Sequence, residues 1–185
     1  LMESRIGSPL SALDWYLKLL DKPGAIYSLP AVIEILESLR QEKEVKEALE
    51  RFLEQIDPQE RWLRGLLLFK LSRFYDQAQE REKELELISQ VVELDPENLF
   101  AWWRLESLAR ETQNFELLAR ALEAITDLIA EPELKFAYLV ELAEIYLNFL
   151  KDYSSCQKVL ERAEELKPEH LSLVRIRQSL AFAQR

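Results

Sequence analysis

Apolar residues recur along most of the chain at steps of three and four, the spacing that places side chains on one face of a helix. Between positions 133 and 168, one such stripe comes first and a second follows it after a short polar interval. The first stripe comprises Phe136, Leu139, Leu142, Ala143 and Tyr146, and the second comprises Cys156, Val159, Leu160 and Ala163. This stretch therefore predicts two amphipathic helices joined by a turn, in which Asp152 or one of the serines after it caps the second helix. In the preceding unit, Asn114 is the expected cap.

The same two-helix pattern repeats, and prolines mark its period. Pro96, Pro132 and Pro168 are separated by 36 residues each, and Pro58 precedes Pro96 by 38. Proline ends the helix before it and suits the first turn of the helix after it. We therefore expect a single domain over residues 1–185, with each proline at a boundary between helices. Its expected parts are a helix at 9–21, repeat units at about 30–58, 59–96, 97–132 and 133–168, and a capping or truncated helix at 169–182.

Within this period, the segment 142–153 (LAEIYLNFLKDY), followed by Cys156, Leu160, Ala163 and Pro168, resembles the tetratricopeptide repeat (TPR). That family repeats helix pairs of about 34 residues, with a Leu-Gly pair early, a small residue in the second helix and a closing proline. The small position of the Leu-Gly pair is filled by Ala143, by Ser72 and by Glu106 in three units. The resemblance implies an all-α, right-handed superhelical solenoid of antiparallel helix pairs with about 9–10 helices.

Composition agrees with a helical, non-enzymatic protein. Only three of the 185 residues are glycine, fewer than the turns of an α/β or all-β domain usually need. The formal net charge of −10 disfavours binding to nucleic acid or to anionic membranes. The single cysteine, Cys156, excludes an internal disulfide and fits the cytoplasm or another reducing compartment. No secretory signal or membrane-spanning apolar run is visible.

No catalytic or metal-binding constellation is recognisable. His170, the one histidine, lies at a predicted helix start, with no second histidine or cysteine nearby in sequence. Cys156 lies on an apolar stripe, where packing is the expected role. Phosphate-binding and hydrolase motifs are missing from the sequence. We therefore expect neither enzymatic activity nor a cofactor or metal.

The resemblance also implies a concave groove, lined by the first helices of successive repeats, in which a partner binds. The residues placed there are Phe69, Lys70, Arg73, Phe100, Trp103, Arg104, Arg110, Val140, Glu141, Glu144 and Asn148. Trp102 and Trp103 diverge by about 100° around the helix, so we expect Trp102 in the core and Trp103 in the groove, unless both are core residues. Basic residues recur on these helices and favour an acidic peptide; they are Arg61, Arg64, Lys70, Arg73, Arg104 and Arg110.

These observations lead to the hypothesis of a protein-binding adaptor or scaffold that holds a partner peptide or helix in the groove. The alternative is a self-assembly module that oligomerises through its terminal helices. Helical-repeat RNA binding is a further alternative, and it would require a continuous basic face.

Overall fold

The computed structural model describes residue 34 and residues 42–184, and every regular element among them is helical. The expected helix at 9–21 and the start of the 30–58 unit lie outside the described residues. The helices are α1 (Glu42–Gln55), α2 (Arg61–Gln77), α3 (Arg81–Leu94), α4 (Leu99–Glu111), α5 (Phe115–Leu128), α6 (Pro132–Ile145), a π-helical turn (Tyr146–Leu150), α7 (Tyr153–Leu166) and α8 (Leu171–Ala183). The prediction of an all-α fold is confirmed.

The chain forms two compact units that divide between Leu94 and Asp95. The first contains α1 to α3 and the second contains α4 to α8. The expectation of a single domain over residues 1–185 stays a prediction, and each unit is described by itself.

In the first unit, α2 packs against both α1 and α3. Two of its basic residues hold helix ends. The Arg61 guanidinium donates to the carbonyl oxygens of Glu93 and Leu94 at the end of α3. The Arg64 guanidinium donates to the Leu53 carbonyl in α1. Such bonds satisfy carbonyls that have no partner within their own helix.

In the second unit, α4 pairs with α5, α6 pairs with α7, and α8 packs against α6 and α7. The stripes that the sequence predicted form its core, which is made of aliphatic and small side chains at the helix contacts. Its fully buried members include Leu105, Leu108, Leu122, Ile125, Leu139, Leu142, Cys156 and Ala163.

Two predicted helix caps are confirmed in the second unit. Asn114 accepts a hydrogen bond from the Leu117 amide at the start of α5, and Asp152 accepts one from the Ser155 amide at the start of α7. The residue before each cap, Gln113 or Lys151, has a positive φ. A single left-handed residue followed by a cap thus makes each of these two turns, although no glycine is present.

The prolines occupy turns more often than helices, which corrects part of the sequence interpretation. Pro132 is the first residue of α6 as expected, but Pro58, Pro96 and Pro168 each lie three residues before the next helix. The turns around Pro58 and Pro96 are closed by bonds from the Glu60 and Asn98 amides to the carbonyls of residues 57 and 95. Proline suits the second position of such a turn because its φ is fixed near −65°.

The small position of the 97–132 unit is also reassigned. Ser72 in α2 and Ala143 in α6 are buried directly after a buried leucine, and in α4 that place belongs to Ala109. Glu106, which the repeat pattern in the sequence placed there, is instead half-buried beside Arg110. The error arose because the apolar periodicity of α4 fits two registers, and only burial separates them.

Candidate functional site

The first helices of the repeats in the second unit lie side by side. The guanidinium of Arg110 on α4 lies 2.5 Å from the carboxylate of Glu141 on α6. Arg175 on α8 lies 2.7 Å from Glu144 on α6. These ion pairs connect one side of α6 to α4 and to α8, so the three helices share a surface. We call this surface, which carries Arg110, Glu141, Glu144 and Arg175, the inner face.

Phe100 and Trp103 form the aromatic part of the inner face. Their rings meet edge to face with centroids 5.7 Å apart, and the Phe100 side chain is largely exposed. Trp103 is half-buried, and its indole nitrogen is buried without a hydrogen-bond partner in the described part of the chain. Trp102 is a core residue, with its indole N–H donating to the Pro96 carbonyl at 2.8 Å. The two tryptophans therefore differ in burial, and the place of Trp103 in a binding groove stays a prediction.

Tyr138 of α6 borders this aromatic group, although the sequence analysis did not select it. Burial and the negative charge of Glu106 raise the pKa of the Tyr138 hydroxyl, while the Trp103 indole acts in the opposite direction. The phenol therefore stays protonated at neutral pH and can donate a hydrogen bond. An aromatic ring with a polar edge is a frequent contact in protein interfaces.

Ion pairs occupy the rest of the inner face. Arg110 bonds both Glu141 and Glu106, and the pKa of its guanidinium is raised, first by Glu141. Glu144 is held by Arg175. At these positions, the charged side chains of the predicted groove are therefore paired with each other within the chain. Arg110 and Arg175 do not form an unpaired basic strip.

The remaining predicted groove residues fall in different environments. Arg104 is half-buried on α4, and Val140 is half-buried against the core of the second unit. Asn148 is exposed in the π-helical turn, beside Phe149, whose ring stacks on Phe115 at 3.8 Å. In the first unit, α2 carries the other three, with Phe69 and Lys70 half-buried and Arg73 exposed.

Neither titratable candidate has the surroundings of a catalytic group. Cys156 is fully buried, and burial followed by the charge of Asp152 raises the pKa of its thiol to about 11, so it is protonated at neutral pH. His170 accepts a bond from the Ser172 amide at the start of α8, and its ring lies against Phe136. Among the described residues, no group of three His, Cys, Asp or Glu could hold a metal ion.

An open cleft of about 440 Å³ lies between α7 and α8. Glu164 and Arg177 line it and pair with each other, and Leu173 and Val174 supply its apolar side. In the part of the chain that the structure describes, no helix is long and apolar enough to cross a membrane.

Comparison with known proteins identifies the fold. No family model and no curated protein matches the sequence. Among solved structures, the chain is similar to YrrB, a TPR protein with an unusual peptide-binding site, with a TM-score of 0.52 and 16% identity over 96% of this chain and 87% of that one. It is also similar to the MamA RS-1 ArsTM double mutant, with a TM-score of 0.51 and 17% identity over 90% and 89% of the two chains. The fold of this chain is therefore that of a divergent, all-helical tetratricopeptide-type protein.

Proposed function

We propose that this protein is a non-enzymatic adaptor or scaffold that binds a peptide or helix of a partner protein on its inner face. The observation that carries the proposal is the exposed ring of Phe100, which packs on Trp103 at the surface shared by α4 and α6. Large exposed aromatic side chains supported by a neighbouring ring often anchor protein interfaces. The peptide-binding site of the structurally similar YrrB is compatible with this role.

The character of the partner is part of the proposal. An acidic peptide was expected from six basic residues, but Arg61 and Arg64 hold helix ends and Arg110 is ion-paired. Support for an acidic partner is therefore reduced. A buried, single cysteine fits the reducing compartment expected from the sequence.

The proposal is tested by selecting peptides from a random displayed library against the whole chain and measuring their affinity for two variants. Phe100→Ser removes the exposed anchor, and Phe149→Ser removes an exposed ring of the π-helical turn, which stacks on Phe115 of α5. We expect Phe100→Ser to weaken the selected peptides at least about tenfold and Phe149→Ser to change their affinity less than about twofold. If the selected peptides bound the wild type and Phe100→Ser with equal affinity, the proposed site on the inner face would be contradicted.

Self-association is the second candidate function, and one specific observation favours it. The terminal helix α8 exposes Leu171, Val174 and Phe182. An apolar helix face of this kind is often covered by another subunit. Light scattering over a hundredfold range of concentration separates the two functions, because assembly raises the apparent mass and peptide binding alone leaves it constant.

A further inference from the structure

Three exposed apolar side chains occupy the same register position on the three helices of the inner face. Phe100, Leu134 and Leu171 are 71%, 42% and 83% exposed. In each helix, buried residues follow at the second, fifth and ninth positions after the exposed one. These are Trp102, Leu105 and Ala109 in α4, Phe136, Leu139 and Ala143 in α6, and Leu173, Ile176 and Leu180 in α8. We call Phe100, Leu134 and Leu171 the apolar ladder.

The ladder continues into a wider apolar strip. Residues three positions further on lie on the same face of a helix. These residues are Trp103, Ala137 and Val174, which are also apolar. In α2 of the first unit, the equivalent register position belongs to Leu63, which is buried. The ladder is therefore a property of the second unit and not a general consequence of the repeat.

Carboxylates border the strip on both sides. At one border, an exposed Pro-Glu pair at the start of each helix or in the turn before it contributes Glu97, Glu133 and Glu169, and Glu133 bonds Lys167, directly after α7. At the other border, Glu106, Glu141 and Glu144 lie with three arginines, of which Arg110 and Arg175 bind them and Arg104 is half-buried on α4. The formal net charge of the whole chain is −10. The first border and the charge of the whole chain therefore favour a cationic ligand over an anionic one.

A helix lying across the ladder would match the usual spacing of packed helices. Neighbouring packed helices are about 8–10 Å apart, and residues seven apart along one helix are about 10.5 Å apart. An amphipathic helix can thus present one apolar residue to each of α4, α6 and α8 and keep its polar face in solvent.

From these relationships we infer that the apolar ladder binds a basic amphipathic helix of a partner protein, with its apolar face on Phe100, Leu134 and Leu171 and its lysine or arginine residues at the border that carries Glu97, Glu133 and Glu169. This inference rests on the proposed function and adds the chemistry of the partner.

The test uses three fluorescent peptides of about 18 residues, long enough to form a helix on binding. The first contains leucine and lysine with all leucines on one helical face, and the second has the same composition with leucines spread around the helix. The third keeps the leucine face and replaces lysine with glutamate. Fluorescence anisotropy at physiological ionic strength is expected to show the first peptide binding at least about tenfold more tightly than the others.

Variants assign that binding to the ladder. The combined change Phe100→Ser, Leu134→Ser and Leu171→Ser is expected to weaken the first peptide at least about tenfold. The control Phe149→Ser removes an exposed ring outside the ladder, in the π-helical turn, and is expected to leave the affinity within about twofold. Circular dichroism confirms that the variants are folded, and since all three ladder residues are exposed we expect them to be. Tightest binding of the glutamate peptide, or unchanged affinity of the ladder variant, would overturn the inference.

Other outcomes separate the inference from the proposed function. Library peptides that need Phe100 for binding but are neither basic nor amphipathic would contradict the inference and remain consistent with the proposed function. An apparent mass that rises with concentration in the wild type, but not in the ladder variant, would identify a second copy of the chain as the occupant of the ladder. That result would also overturn the inference. Failure of every library peptide to bind would contradict the proposed function itself.

Discussion

Arg110 and Glu141 join two first helices of the repeat array through contact between a guanidinium and a carboxylate, 2.5 Å apart. Both side chains are partly exposed, and Arg110 also bonds Glu106 within its own helix. The sequence placed Arg110 and Glu141 together in a binding groove, and the structure shows that they bind each other. A binding partner must either leave this ion pair intact or replace its bonds with bonds of its own. Contacts with the neighbouring apolar side chains avoid that cost.

A double-mutant cycle with Arg110→Ala and Glu141→Ala measures this pair. Because both groups are partly solvated, we expect a coupling free energy of about 0.2–1 kcal/mol at low salt. Coupling should fall as salt rises, because ions screen exposed charges. Urea unfolding monitored by circular dichroism gives the four stabilities. A coupling that is zero at low salt, or that grows with salt, would show that the pair does not join the helices in solution.

Trp102 and Phe100, two residues apart on α4, should respond very differently to truncation. Trp102→Ala removes a buried ring and its bond to the Pro96 carbonyl, so we expect a loss of about 3–5 kcal/mol in the free energy of unfolding. Phe100→Ala removes an exposed ring and should cost less than about 1 kcal/mol. Thermal and urea denaturation provide both values. A large loss from Phe100→Ala would mean that this ring is a core residue rather than a surface anchor.

The cap at Asp152 predicts a pH dependence. Bonds from the Ser155 amide and hydroxyl lower the pKa of the Asp152 carboxyl below its usual 3.8. A lowered folded pKa means that the ionised cap stabilises the protein above the unfolded pKa and that this contribution is lost as pH falls through the folded pKa. The stability difference between wild type and Asp152→Asn should therefore shrink between about pH 5 and about pH 2. A difference that stays constant over that range would show that the carboxylate charge does not contribute.

Lys151 precedes that cap with a φ of 56°, in the left-handed region. Because glycine adopts this region without steric cost, Lys151→Gly should stabilise the protein by about 0.4–1 kcal/mol or leave it unchanged. The control Lys158→Gly places glycine at an exposed site inside α7 and should destabilise by about 1 kcal/mol. Urea midpoints of the two variants check the opposite signs. Equal destabilisation by both changes would contradict the turn geometry.

The sequence predicted those features that depend on local pattern. The apolar stripes of α4 to α7 could be predicted because their period matches that of the helix. Asn114 and Asp152 could be predicted as caps because short polar residues favour that position. The offset of Pro58, Pro96 and Pro168 from the helix starts could not be seen, since proline suits a turn and a first helical turn alike.

The candidate site depends on contacts between residues distant in sequence, and these contacts could not be predicted from local pattern. The pairing of Arg110 with Glu141, and of Arg175 with Glu144, requires knowledge of how far each helix is rotated and shifted. Leu134 and Leu171 were missed, although each lies two residues before a buried stripe, as Phe100 does. That shared register was a usable signal, and it emerged only once burial had fixed the stripes.

The most direct test of the central claim replaces single residues with a photo-cross-linking amino acid and asks which positions capture a bound peptide selected from the library. Positions 100 and 134 lie on the inner face, and the exposed positions 116 and 158 lie on the second helices α5 and α7. We predict cross-links from positions 100 and 134 and none from 116 and 158. Capture at 116 or 158 without capture at 100 and 134 would contradict the inner face as the binding surface.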